Sequence, residues 1–162
     1  MRIKTKLLIF ASLCTVLGQP VYAGISITLT GNWNKTIDAS DLQSGAGSNL
    51  ISSHESASNA AFIDIFDTTG TSDNWRVDVK KIDTSWHSSL HLDVKRTSDG
   101  TGSGAISGGS VYQEVTGTDQ SFFSGSGDRS SIDVQLKVRG MSVQVSPNTY
   151  STTIYYTVVD TF

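Results

Sequence analysis

Three stretches of this sequence alternate apolar and polar residues so regularly that they leave little choice of fold. In WRVDVK, Trp75, Val77 and Val79 share one side and Arg76, Asp78 and Lys80 the other. SLHLDVKR repeats the pattern with Leu90, Leu92 and Val94, and SIDVQLKVRG with Ile132, Val134, Leu136 and Val138. A period of two places successive side chains on opposite faces of a strand, one face in the core and one in water. Segments 25–30, 61–66, 108–115, 141–145 and 151–160 extend the series. DTTGTSDN, SDGTGSG, SGSGDRS and SPNT supply turn residues between them. The pattern predicts an all-β chain folded as an antiparallel, immunoglobulin-like β-sandwich of about eight strands. No segment carries a helical period. The polar stretch from about 38 to 60 is expected to be a long loop holding at most a short turn of helix.

The first residues follow a different plan. MRIKTK carries Arg2, Lys4 and Lys6, LLIFASLCTVLG is a short apolar run, and QPVYA places Val21 and Ala23 at small-residue positions. That is the layout of a secretory signal peptide, residues 1–23, cut before Gly24. Residues 24–162 then form one domain, with no membrane span left after cleavage. Three of the twelve basic residues lie in the leader, which leaves nine against fifteen acidic and a net charge of −6. Such a balance argues against nucleic acid as a partner. The single cysteine, Cys14, leaves with the leader. The mature chain therefore has neither disulfide nor thiol chemistry and must rest on its core.

Catalytic patterns are missing from the sequence. There is no Gly-x-Ser-x-Gly elbow, and neither glycine-rich run has dinucleotide spacing. The expectation is a protein that is not an enzyme, with no cofactor and no metal. His87, His91 and Asp93 share parity and read as a solvated outer face, with His54 the remaining histidine. Asp64, Asp67, Asp73 and Asn74 flank one acidic turn whose spacing does not match an EF-hand loop; an ordinary acidic turn is the preferred reading, with a calcium site near Asp67 and Asp73 left open as the alternative. Asn34 opens an Asn-Lys-Thr glycosylation sequon. Trp75 and Trp86 fall in phase with apolar faces and are expected in the core. Trp33, in GNWNKT, is the candidate ligand contact if the protein binds a glycan.

Both ends of the mature chain are extended. GISITLTGNW sets Ile25, Ile27 and Leu29 on one side, a candidate donor strand able to pair within its own sheet or with a neighbour's. VSPNTYSTTIYYTVVDTF sets Ile154, Tyr156 and Val158 on one face of a candidate groove strand, and bulk on both faces predicts a central position. The segment PNTYSTTIYYTVVD resembles the closing motif of bacterial fimbrial subunits of the spore-coat-U and archaic chaperone–usher kind, through Tyr150, Thr152, Thr153, Ile154, Thr157 and Val158. The likeness covers about the last fifteen residues. It implies export through the periplasm to the cell surface, an export chaperone, and assembly by donor-strand exchange. Subunits of this kind often hold a disulfide, and this mature chain cannot. The expected function is a secreted structural or adhesive protein that associates with itself or with related subunits. The alternative is a monomeric carbohydrate-binding module.

Overall fold

The computed structural model describes residues 2–5 and 24–161. Two sheets form an antiparallel β-sandwich. The first runs in the order β3 (Trp33–Thr36), β1 (Arg2–Thr5), β12 (Thr149–Asp160), β6 (Asn74–Ser85), β10 (Gln120–Ser126) and β8 (Ile106–Gly108). The second runs β2 (Ser26–Gly31), β5 (Ala61–Phe66), β11 (Arg129–Arg139), β7 (His91–Arg96) and β9 (Gln113–Glu114), with β4 (Ser53–Glu55) also bonded to β11. Described neighbours are antiparallel throughout, except that β1 runs parallel to β12.

The alternation seen in the sequence becomes the core. Trp75, Val77 and Val79 of β6 face Leu92 and Val94 of β7 and Ile132, Val134, Leu136 and Val138 of β11, all essentially without solvent exposure. Each fully buried Val, Leu or Ile contributes roughly 1.5–3 kcal/mol of hydrophobic free energy. Trp75 also donates from Nε1–H to the Gly127 carbonyl at 2.9 Å and meets Phe123 edge to face. Gly125 faces that indole, and a Cβ there would lie 2.5 Å from the ring, so only glycine fits. Trp86 is half-buried, its Nε1–H bonded to the Leu90 carbonyl at 2.7 Å.

Three differences from the sequence reading have physical causes. Segment 108–115 is not one strand: β8 ends at Gly108 and only Gln113–Glu114 pairs as β9, because Gly108 and Gly109 both adopt positive φ and break the strand. Residues 141–145 bury Met141 and Val145 but turn, with Val145 N–H bonded to the Ser142 carbonyl. β10 is a strand that the pattern conceals. Phe122 and Phe123 are both buried, and the register shifts between Ser121 and Phe123, a bulge that spoils strict alternation. The polar segment after Ile37 contains one 3-10 turn, Ala39–Asp41, closed by a capping box in which Asp38 and Asp41 each accept an amide of the other end.

Candidate functional site: a strand slot between β3 and β12

One continuous extended segment builds both β2 and β3. It changes sheet at Gly31, whose φ is 141° and where a Cβ would lie 2.3 Å from the Ala60 carbonyl oxygen. Before this pivot, β2 pairs with β5 from Ser26↔Phe66 to Gly31↔Ala61. Leu29 is buried, and Ile25 and Ile27 pack against the core. The candidate donor residues therefore sit in their own sheet, as an edge strand bonded, among the described residues, to β5 alone. After the pivot the chain enters the opposite sheet as β3.

Among the described residues β3 does not pair with β12; β1 lies between them. Arg2–Thr5 pairs antiparallel with Trp33–Thr36 and parallel with β12 at Thr149 and Tyr150. Adjacent strands lie about 4.8 Å apart, so β3 and β12 stand roughly 10 Å apart with room for one strand. On its other side β12 is fully engaged, pairing with β6 from Ser151 to Asp160. Among the described residues its other edge pairs with β1 alone, although β12 is twelve residues long.

The candidate groove residues Ile154, Tyr156 and Val158 share one face of β12. Ile154 is buried, while Tyr156 and Val158 are half-buried against the core. Tyr150 and Thr152 share their face. Tyr150 donates its hydroxyl to the Ser146 carbonyl at 2.7 Å, and Thr152 bonds the Ile82 carbonyl at 3.1 Å. The Tyr156 hydroxyl is buried without a hydrogen-bond partner among the described residues, and burial pushes its pKa well up. Trp33 is half-buried in β3 against the core, and Asn34 beside it is exposed. No sequence signal points to β3 as the far wall, because four residues of WNKT are too short to show a period.

β3 is anchored from behind. Lys35 Nζ reaches Asp41 Oδ1 at 2.7 Å, and His54 Nε2 of β4 stands 3.4 Å from the same oxygen. Burial pushes the Asp41 carboxyl up, but the Lys35 ammonium and the Asp38 amide outweigh it and hold the group below its ordinary value. Burial and the Lys35 charge lower the His54 pKa, with Asp41 acting against them. The folded state thus binds fewer protons at His54 than the unfolded chain, so stability falls as pH drops through about 6.5. Asp38, Asp41, Glu55, Glu114 and Asp128 are likewise held low, and the stability they contribute is lost as pH falls below about 4.5. Urea midpoints are expected to decline between pH 7.5 and 5, with His54→Gln flattening that segment and leaving the acid limb.

The outer face of the second sheet differs from expectation. Asp93 is buried rather than solvated, held by Arg139 through contacts of 2.5 and 3.1 Å. Arg139 also donates to Glu114, whose carboxylate lies 2.7 Å from His91 Nδ1 and accepts from it. Lys95 and Lys137 both lie over the Tyr112 ring, at 4.5 and 4.8 Å from its centre. These are cross-strand ties of a structural kind. His87 stands apart, edge-on to Tyr150. In the acidic turn, Asp73 accepts from the amide and hydroxyl of Thr69, and Asp128 from those of Thr68. Among the described residues no three His, Cys, Asp or Glu side chains converge on a metal position, and no helix is long and apolar enough to cross a membrane. No protein-family model, curated protein or solved structure matches the chain.

Proposed function

We propose that the mature chain is an exported structural subunit that joins its neighbours by taking a foreign strand into the slot between β3 and β12. The observation that carries this reading is the twelve-residue β12, paired along one edge with β6 and on the other, among the described residues, with β1 of the leader alone. If residues 1–23 are removed on export, β1 goes with them. A long strand edge over a partly covered apolar face then remains, which natural sheets ordinarily blunt or cover. An incoming strand supplies main-chain hydrogen bonds along β12, and its alternate side chains cover Ile154, Tyr156 and Val158. An export chaperone is one means of shielding the slot before assembly.

The strand comes from a second copy. β2 is the segment able to move: it lies at a sheet edge, carries Ile25, Ile27 and Leu29 in alternation, and swings about Gly31. Exchange replaces its six pairs along β5 with pairs along the longer β12, in the manner of a domain swap. Its single register is set by which side chains point inward. Purified 24–162 is expected to form regular, concentration-dependent fibres by light scattering and negative-stain microscopy. A stable monomer at every concentration would remove this reading.

A further inference from the structure

At the edge of the first sheet farthest from the slot, β6, β10 and β8 border an open groove of about 320 Å³. We propose that this groove binds a small, uncharged, polyhydroxylated ligand, specifically a neutral sugar ring. The site does not depend on strand exchange, because the slot lies beyond β12 and the groove lies between β6 and β8. A subunit joined to its neighbours through the slot would still display it.

The chemistry of the lining carries the proposal. Its polar groups are the hydroxyls of Ser107, Ser124, Ser126 and Thr161 and the side-chain amide of Asn74. Ala105, Ile106, Gly125 and Trp75 supply the apolar remainder. Hydroxyls and amides both donate and accept, as sugar hydroxyls do, and apolar atoms suit the C–H face of the ring. None of these lining side chains is charged. Arg76, across from Ser124 on β6, is already held by Asp78 through contacts of 2.6 and 2.9 Å. A charged ligand would lose hydration here with no counter-ion to replace it.

Several of the polar groups have hydrogen-bonding capacity left. The Ser107 and Ser124 hydroxyls lie 3.2 Å apart, so one donates to the other and the second proton stays free. Ser126 is only 7% exposed; its Oγ accepts from the Ala105 amide at 3.0 Å. Its own proton has no acceptor among the described residues, and a buried hydroxyl on a groove wall in that state is a place for a ligand oxygen. The wall itself is fixed. Ser126 N–H bonds the Ala105 carbonyl at 2.9 Å, and Arg129 donates to the carbonyls of Asp99 and Gly104. Arg96 closes the far side of β8, its amide on the Gly109 carbonyl at 2.6 Å and its Nε–H on the Gly108 carbonyl at 2.9 Å. A peptide strand therefore has no free edge to join at that end of β8. The volume lies at the low end of the roughly 300–1,000 Å³ of ligand pockets, room for a ring rather than a chain.

Amide chemical shifts of 24–162, held below its assembling concentration, test this with glucose, galactose and mannose as probes. At least one sugar is expected to bind with a Kd on the order of millimolar and to move the amides of Ser107, Ser124, Gly125 and Ser126. Ser107→Ala combined with Ser124→Ala should weaken that binding at least about tenfold. The thermal midpoint should hardly move, which separates a lost contact from a lost fold. The uronate of the bound sugar, the same ring carrying a carboxylate, should also bind at least about tenfold more weakly. No shift with any of the three sugars at roughly 0.1 M overturns the site. Shifts that survive the double substitution overturn it as well, and shifts centred on Trp33 overturn it in favour of β3. Tighter binding of the uronate overturns the uncharged class. A chain that binds the sugar in the groove but never assembles upholds the site and removes only strand exchange.

Discussion

A chain beginning at Asn32, which lacks β2, is expected to lose about 3–5 kcal/mol of stability relative to 24–162. Leu29 is buried at 7% exposure, and Ile25 and Ile27 pack against the core, so together they supply roughly one full and two partial aliphatic burials. The loss also bares the edge of β5, whose Ile63 and Ile65 are now covered. Small domains hold only about 5–15 kcal/mol in total, so 32–162 should unfold at a clearly lower denaturant midpoint than 24–162. A peptide of residues 24–31 added in trans should raise that midpoint by reoccupying the place beside β5. Chemical denaturation with and without the peptide checks both statements. Unchanged stability in 32–162 would mean that β2 is a free arm and not a strand of its own domain.

Trp75→Ala is the largest single substitution effect expected, about 3–5 kcal/mol. The indole has no solvent exposure, meets Phe123 at 5.9 Å between ring centres, and covers Gly125 where no side chain fits. Its removal leaves a cavity and strands the Gly127 carbonyl, which now accepts from Nε1–H at 2.9 Å. Trp75→Phe keeps part of the ring and should cost less, the difference reflecting the hydrogen bond and the lost volume. Trp75 lies in β6, which pairs with the whole of β12 from Ser151 onward, so this variant should also weaken the slot by loosening its inner wall. Thermal unfolding of the three proteins orders them as wild type, Trp75→Phe, Trp75→Ala.

Much of this architecture is legible in the residues. β6, β7 and β11 read directly from period-two alternation because each has one face in water and one in the core. The apolar face of β12 was equally plain, Ile154 with Tyr156 and Val158. What alternation cannot show is pairing. The order of this sheet places β3 and β12, from opposite ends of residues 24–162, on either side of β1. Asp93 shows the same limit from another side. Its parity with His91 was visible, but its burial depends on Arg139 arriving from β11 and Glu114 from β9. Charge partners across strands leave no local signature. β10 was concealed for a different reason, the bulge that lets Phe122 and Phe123 both turn inward.

The most direct test of the strand-accepting account is a photo-cross-link from Thr153, the β12 residue just past the end met by β1. A photoreactive residue placed there in mature 24–162 is activated under assembling conditions, and the product is sequenced by mass spectrometry. The account predicts an intermolecular product joining β12 to the 25–31 segment of a second copy. A product formed only within one chain would show the slot closed by its own strands, and the proposed mode of assembly would be wrong.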